Sequence, residues 1–348
     1  AVQQRQEKTV TAASGPEVDF RYAPGDWQST YCFPDDPFKS LVGKHGELLY
    51  GHPGLDAEWN AFAHIVSVGL HGKEPGVYVT QKIESPALPI ITTYLGWDDA
   101  TMRLTSFATN DKDEGRIDNL LVEIFSKIKD ELEVTPEISI ASKEKFTFFS
   151  NDDMSTVQIA SAAPAVFFSV SSPVQSIEGN DVHTYQLKTD KAKKEKPLRL
   201  LARFPQEKQV KEKIKYNVDD TDKLLEEVRS FWQEWKPTDG KVVWKLNGAS
   251  NDFLVACSRN IVESREIKNG KKIFQVGPTC YRGLWMVDGF SLLEAARYLG
   301  YDKDAQEGLE SIWDRQLDNG AIIGAAGEKH YKDTAVTVYT LIRQAELS

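Results

Sequence analysis

The sequence predicts a protein of two parts, a large antiparallel β-sandwich followed by a helical region. From Val18 to about Phe204, short runs of β-branched and aromatic residues alternate with clusters of Gly, Pro, Asn and Asp, a pattern typical of an all-β domain. At Asp219 the apolar residues change to helical spacing. The length of 348 residues also exceeds that of one ordinary domain, so we expect about two.

The predicted sandwich occupies residues 18–215. Short polar breaks separate its apolar runs, which favours two packed antiparallel sheets over βαβ units. The predicted strands lie at 62–70, 76–83, 88–97, 102–109, 118–128, 137–142, 145–150, 163–170, 183–189 and 198–204. Residues 1–17 are polar and lack periodicity, which predicts a loose leader or an edge strand.

Residues 25–50 are too irregular to predict regular strands. We expect this segment to be a loop that is anchored against the second domain by its aromatic residues, Trp27, Tyr31, Phe33 and Phe38. The Asp-Asp-Pro sequence at 35–37 and the Asn-Asp-Lys-Asp sequence at 110–113 fit turns, with calcium ligation as the less favoured alternative.

A linker helix is predicted within residues 216–240. Its apolar residues recur at helical spacing, and they are Leu224, Leu225, Val228, Phe231, Trp232 and Trp235. Asp219, Asp220 and Thr221 offer an N-cap, while Pro237 and Gly240 end the helix. A helical row of aromatic residues is more often core than a carbohydrate-binding stripe, so we expect it to pack on a neighbouring domain.

The last segment, 241–348, reads as helices and loops without strands. The predicted helices are Asp252–Ile267, Asp288–Tyr298, Asp302–Leu317 and Thr334–Leu347. Their alternation with short loops indicates stacked antiparallel helix pairs. In the third helix, Ala305, Leu309, Ile312 and Trp313 are predicted to face inward.

Composition excludes several classes of function. A net charge of −10 argues against nucleic acid as a partner, because phosphate binding needs a basic face. The basic run at 191–196 is therefore interpreted as a solvated hairpin tip. The sequence contains no run of about 18 apolar residues, so no membrane span is predicted. The cysteines Cys32, Cys257 and Cys280 are too widely spaced for a disulfide framework. His64 is expected to be a packed core histidine. No cofactor or metal site is predicted.

A candidate site lies at Phe274–Gly300, where an irregular segment leads into an amphipathic helix. Tyr281, Arg282, Trp285 and Asp288 cluster at this helix entrance. An aromatic face can take the apolar side of a pyranose, while a guanidinium and a carboxylate take its hydroxyls. The alternative is structural: Trp285 as a core residue, and Arg282 with Asp288 as an ion pair.

The order of these parts and two sequence runs resemble a known family. The runs are YRGLWMVDGFSLLEAARYLGYDKDAQEGLESIWDRQLDNGAI and HYKDTAVTVYTLIRQAEL. Together with FWQEW in the linker helix, they resemble the bacterial glycoside hydrolases that carry a β-sandwich before a six-hairpin (α/α) toroid. Glucoamylases, the glycoside phosphorylases of the maltose and trehalose type, and the α-L-rhamnosidases share that toroid.

The resemblance implies roles for seven residues at the toroid mouth. Asp288 and Asp333 would be the catalytic carboxylates, each at the start of a helix. The substrate-binding residues would be Tyr281, Arg282, Trp285, His330 and Tyr331. For Asp333 a helix cap is an equally weighted alternative. Glu328 and Asp318 are weaker candidates that fit surface loop charges better.

A complete toroid in this family has about twelve helices, and this chain supplies four. The resemblance therefore implies that a continuation of the polypeptide, or a second chain, completes the ring and carries the general acid. Glycoside hydrolysis needs two carboxylates on opposite sides of the bond. Without the other helices, an apolar inner face would be exposed.

The expected function is a secreted or periplasmic glycoside hydrolase that cleaves an oligosaccharide or polysaccharide with a water nucleophile, by inversion in most relatives. Three alternatives remain open. A phosphorylase would need a basic phosphate pocket, and a polysaccharide lyase would need a Tyr/His or Arg/Lys pair near a uronate. A carbohydrate-binding or assembly module would bind without turnover.

Overall fold

The computed structural model describes residues 18–19, 25–51, 62–112, 115–142, 148–150, 156–159, 165–179, 182–206, 218–238, 242–279, 281–325 and 327–348. The predicted leader at 1–17 and Cys280 lie outside these ranges. Twenty strands and five α-helices are assigned within them.

The strands are β1 Val18–Asp19, β2 Gln28–Thr30, β3 Leu41–Gly43, β4 Leu48–Tyr50, β5 His64–Leu70, β6 Val77–Ser85, β7 Leu88–Gly96, β8 Ala100–Asp111, β9 Gly115–Ser126, β10 Glu131–Val134, β11 Pro136–Ser142, β12 Phe148–Ser150, β13 Thr156–Ile159, β14 Ala165–Val170, β15 Val174–Glu178, β16 Val182–Leu187, β17 Asp190–Lys193, β18 Leu198–Pro205, β19 Glu266–Lys268 and β20 Lys271–Ile273. The helices are α1 Thr221–Glu234, α2 Ala249–Ser264, α3 Met286–Tyr298, α4 Asp302–Glu310 and α5 Tyr331–Leu347. Short 3-10 turns cover Val218–Asp220 and Trp313–Arg315.

Two large antiparallel sheets form the first part of the molecule. One has nine strands in the order β1-β6-β7-β8-β9-β18-β14-β13-β12, and the other has seven in the order β15-β16-β11-β5-β4-β3-β2. Alternate residues of both sheets meet in one core, for example Leu104 and Val122 from the first and Val66 and Ile138 from the second. The predicted β-sandwich is confirmed, and a helical region follows it.

The segment 25–50 departs from its prediction. It forms the edge strands β2, β3 and β4 of the seven-stranded sheet, which are too short to show an alternating pattern. Tyr31 belongs to the sandwich core, and the Trp27 indole donates a hydrogen bond to Gln81 of β6. Phe33 does reach beyond the sandwich, packing edge-on against Phe231 of α1 at 4.9 Å.

Helix α1 lies on the outer face of the nine-stranded sheet. Leu225, Val228 and Trp232 pack on sheet residues that include Phe107 and Leu121. Because Trp232 is only 2% exposed, the prediction of core packing is confirmed over a carbohydrate stripe. The helix starts without a side-chain cap; the Thr221 hydroxyl instead donates to the carbonyl of Val218.

The helical region contains a β-hairpin that was not predicted from the sequence. Strands β19 and β20 pair through a two-residue turn in which Asn269 and Gly270 both have positive φ angles, 52° and 75°. Asn-Gly is the preferred pair for such a turn, so the prediction that this region has no strands was wrong. The first helix consequently ends at Ser264 rather than Ile267.

The remaining helices pack around a second core. It contains Phe274, Leu293, Leu309 and Ile312, and Ala305 is buried with them as predicted. Helix α4 is shorter than predicted because the chain tightens into a 3-10 turn after Ser311. The prediction that Trp313 faces inward is wrong, because its side chain is 46% exposed.

Three smaller predictions have outcomes in the fold. His64 is buried against the ring of Tyr50, at 4.8 Å between centroids, and is a packed histidine. The basic run at 191–196 lies where β17 turns toward β18, and Lys191 and Lys193 pair with Glu131 at its surface. Among the helices described, none combines the length and apolar character that crossing a membrane requires.

Candidate functional site

The loop before α3 has a conformation that its neighbours fix. Tyr281 and Gly283 both have positive φ angles, 49° and 83°. The backbone N–H of Gly283 donates to the side-chain carbonyl of the buried Gln275 at 3.2 Å. A Cβ on Gly283 would lie 2.9 Å from the Cβ of Ala325, so this loop packs directly against the loop before α5.

Arg282 points into the protein. Its guanidinium is buried, forms an ion pair with Glu266 of β19 and donates to the carbonyl of Pro278. The structural alternative named an ion pair with Asp288, but the partner is Glu266, which sequence reasoning missed. This arrangement does not support direct contact between Arg282 and sugar hydroxyls, because the guanidinium is not at the surface.

Aromatic rings form a row along the outside of the loop. The ring of Tyr281 stands edge-on to Trp285 at 5.7 Å, with 86° between the ring planes. His330, from the loop before α5, lies 6.5 Å from Trp285. The Trp285 indole donates to the carbonyl of Arg282 at 3.0 Å, which fixes the ring, and the residue is half-buried. We call Tyr281, Trp285 and His330 the aromatic row.

The two predicted carboxylates have different environments. Asp288 lies exposed in the first turn of α3, and its side chain makes no hydrogen bond or ion pair with any described residue. Asp333 lies in the first turn of α5 and is only 2% exposed, and its Oδ2 atom has no hydrogen-bond partner among the described residues. Asp333 is not the cap residue of α5, because the helix begins at Tyr331 and His330 precedes it. Tyr331 is fully exposed.

Sequence reasoning gave too little weight to Glu328, which lies near Asp333, and it missed Arg315. A Cβ on Gly324 would lie 2.6 Å from Oε2 of Glu328 and 3.4 Å from Oδ2 of Asp333. Because both distances start from the same Cβ position, the two carboxylate oxygens are no more than about 6 Å apart. Glu328 is therefore half-buried beside Asp333 and is not a remote surface charge.

Arg315 is a half-buried cation that interacts electrostatically with both carboxylates of this pair. Burial lowers the pKa of its guanidinium, while the carboxylates of Asp333, Asp314 and Glu328 oppose that shift. Its Nη2 atom donates to the carbonyl of Leu284 at 2.8 Å, which connects it to the loop before α3. No sequence motif marks Arg315, because its proximity depends on how the two loops pack.

The structure thus brings together most of the predicted residues in two adjoining groups. The aromatic row and Asp288 form an exposed group at the start of α3. Asp333, Glu328 and Arg315 form a half-buried group at the start of α5. Aromatic rings can bind the apolar face of a sugar ring, and neighbouring carboxylates can bind its hydroxyls. Paired carboxylates can exchange protons.

Comparisons with known proteins identify the fold but no family. No family model matches the chain, and no curated protein matches it. A solved structure described as "Putative kojibiose phosphorylase from human microbiome" is similar over 92% of this chain, with a TM-score of 0.52 and 8% sequence identity. The similar region is 49% of that protein, so this chain spans about half its length. At this identity the likeness shows a shared fold.

Proposed function

We propose that this chain is part of a carbohydrate-active enzyme that cleaves glycosidic bonds in an oligosaccharide or polysaccharide. The observation that carries the proposal is the aromatic row beside the exposed carboxylate of Asp288. A half-exposed indole, fixed by its own hydrogen bond, offers a flat apolar surface for a sugar ring. A carboxylate in the first turn of a helix can accept hydrogen bonds from the hydroxyls of that sugar.

Each residue has a distinct proposed role. Tyr281, Trp285 and His330 bind the sugar, and Tyr331 extends the exposed surface next to them. Asp288 binds hydroxyls or acts as a base, and Asp333 supports catalysis from the adjoining buried group. Arg282 acts through its ion pair with Glu266, which holds the loop in place.

Hydrolysis is the reaction we propose first. A carboxylic acid protonates the departing glycosidic oxygen while a carboxylate activates water on the other side of the sugar. Asp288 is proposed to serve in this pair, with the general acid in another part of a complete (α/α) toroid. The observation in favour of a second candidate, phosphorolysis, is the description of the structural neighbour as a phosphorylase. In that case phosphate replaces water as the nucleophile.

A complete toroid would also cover apolar surface that this chain exposes. Val287 and Tyr298 of α3 and Val338, Tyr339 and Ile342 of α5 are each 45–57% exposed. Such side chains in neighbouring helices are typical of a surface that packs against further helices. We propose that a continuation or a second chain lies there, and that the protein is exported to the periplasm or the medium.

Sugar binding by the 348-residue chain is the first test. Trp fluorescence would be titrated with maltose and trehalose, and the same titration would be run on Trp285→Ala, with Trp313→Ala as a matched control for an exposed tryptophan outside the row. We expect binding to weaken at least tenfold in Trp285→Ala only. Equal binding by both variants would contradict the proposed site.

Product analysis then distinguishes the reactions. The active, natively purified protein would be incubated with oligosaccharides with and without inorganic phosphate. Free reducing sugar without phosphate indicates hydrolysis, whereas a sugar phosphate formed only with phosphate indicates phosphorolysis. An unsaturated product that absorbs ultraviolet light would identify a lyase, and binding without turnover that Asp288→Asn leaves unchanged would identify a binding module.

A further inference from the structure

A cleft of about 640 Å³ separates the sandwich from helix α2. Strands β2 and β3 and the β6–β7 turn form its sandwich wall, and α2 and residues 276–279 form the other. The lining residues that matter below are Gln28, Ser29, Leu41, Ile83, Asn260 and Ser264. Pockets of roughly 300–1,000 Å³ are usual for small-molecule ligands, so this cleft has room for one or two sugar rings.

Four polar side chains in this cleft are available to a ligand. Gln28, Ser29, Asn260 and Ser264 make no side-chain hydrogen bond with any residue that the structure describes. Ser264 is the most informative of them, because the residue is only 6% exposed and yet lines the cleft. Amides and hydroxyls both donate and accept hydrogen bonds, which suits a ligand with many hydroxyl groups.

Charge in the cleft argues against an anionic ligand. Arg259 is the only basic residue among the described residues of the lining, and two of its three guanidinium nitrogens are already engaged. Its Nε donates to the carbonyl of Pro86 at 2.8 Å, and its Nη1 pairs with the buried Glu263 at 2.7 Å. Asp26, in contrast, is exposed and adds negative charge. A phosphate or carboxylate would meet a guanidinium that is already paired with Glu263, together with the opposing charge of Asp26.

Apolar side chains complete the lining. Leu41 and Ile83 come from the sandwich, and Val276 and Pro278 come from the opposite wall. A cleft that offers neutral hydrogen-bonding groups together with aliphatic surface fits a molecule with hydroxyl edges and apolar C–H faces. Among neutral polar ligands, a sugar has this combination.

We propose that this interdomain cleft is a second carbohydrate-binding site that takes a neutral mono- or disaccharide unit. Gln28 and Asn260 hold its hydroxyls from opposite walls, and Ser264 binds it at the base. The choice of a sugar as the ligand rests on the proposed function. The presence of the cleft, and of the Gln28 and Asn260 amides that line it, does not depend on that proposal.

The cleft also connects to the aromatic row. Pro278 lines the cleft, and its carbonyl accepts a hydrogen bond from Arg282, which lies in the loop that carries Tyr281 and Trp285. A sugar bound between the two walls would hold residues 276–279 in place and stabilise this loop. The cleft is therefore expected to bind a part of the substrate remote from the cleaved bond.

The test uses maltose and trehalose as probes in calorimetric titrations and saturation-transfer NMR of the 348-residue chain. We expect the double variant Gln28→Ala/Asn260→Ala to lose one of two binding events, with affinity reduced about tenfold or more, since several hydrogen bonds disappear. Ala256→Leu, which places a larger side chain from α2 into the cleft, should have the same effect without removing a polar group. Gln233→Ala/Asn247→Ala is the matched control, because both residues are exposed elsewhere.

Trp285→Ala separates this proposal from the proposed function. If both are right, Trp285→Ala removes one binding event and the cleft variants remove the other. If only the cleft proposal is right, Trp285→Ala changes nothing and the cleft variants remove all binding. Unchanged sugar binding in both cleft variants, an absence of sugar binding in the unmodified chain, or binding of inorganic phosphate that depends on Gln28 and Asn260 would each overturn the cleft proposal.

Discussion

Helices α1 and α2 both contact the sandwich, and the two contacts differ in chemistry. Helix α1 packs on it through an apolar interface of Leu225, Val228 and Trp232 against the nine-stranded sheet. Helix α2 instead meets it through charged and polar groups, with Lys39 and Arg259 as its centre. The first kind of contact is strong but not directional, whereas the second fixes geometry.

The polar interface is directional because backbone atoms take part in it. The Lys39 ammonium donates to the carbonyls of Glu263 and Arg265, at 2.7 Å in each case. The backbone N–H of Asp35 donates to the carbonyl of Val262 at 2.9 Å. Since β19 begins directly after Arg265, these bonds set the position of Glu266 and, through it, of Arg282 and the loop before α3. We therefore expect the polar interface to align the candidate site and the apolar one to hold the parts together.

The largest effect is expected at the apolar interface. Trp232→Ala should destabilise the protein by about 3–5 kcal/mol, because it removes a buried indole and leaves a cavity against the sheet. Chemical denaturation followed by circular dichroism measures this. Phe231→Ala is the control on the same helix, with a 42% exposed side chain and a smaller expected loss. An equal loss in the two variants would contradict the assignment of Trp232 as the centre of this interface.

A pH-dependent effect is expected at the polar interface. Burial raises the pKa of Glu263 from 4.5 to about 7, although Arg259 and Lys39 oppose the shift. Between these two pH values the folded state keeps a proton that the unfolded state has lost, so stability falls as pH rises from about 4.5 to 7 and then levels off. The loss is at most on the order of 3 kcal/mol.

The measurement is the free energy of unfolding at several pH values, compared with Glu263→Gln. The glutamine cannot ionise, so the variant should lack this decline while other groups titrate as before. Parallel profiles for the two proteins would show that Glu263 is not responsible, and the polar interface would then lose its expected sensitivity to pH.

Sequence could predict the apolar interface but not the polar one, for a physical reason. Trp232 and its neighbours recur at helical spacing, and the strands of the sandwich follow the two-residue period of a β-strand. Both patterns can be recognised within a short stretch of sequence. Lys39 and Glu263 are 224 residues apart, and nothing local marks either as a partner of the other. The pairing of Arg282 with Glu266 likewise depends on the hairpin β19–β20, whose two strands were not predicted.

The same limit applies to the candidate site. Tyr281, Trp285 and Asp288 could be predicted because they lie within eight residues of one another at a helix entrance. The relation of Glu328 to Asp333 was missed, because the two meet only where the loop folds back over Gly324. Arg315 could not be identified either, since its position depends on packing against Leu284.

The smallest expected effect on stability comes from Lys39→Met, which keeps the length of the side chain and removes its charge. Burial lowers the pKa of Lys39, so replacing it removes an unfavourable desolvation as well as two hydrogen bonds. We expect a net loss of about 2 kcal/mol, since the carbonyls of Glu263 and Arg265 are left without this donor.

The informative result is sugar binding by the folded Lys39→Met protein. If the polar interface aligns the candidate site, Trp285-dependent binding should weaken more than the stability loss alone explains, while Lys44→Met, a change at a half-buried lysine over Trp27, should leave it intact. Full binding in a Lys39→Met protein that remains folded would mean that the loop before α3 holds its own conformation. Arg282, Glu266 and Gln275 would then be sufficient to position the aromatic row, and the two interfaces would differ only in strength.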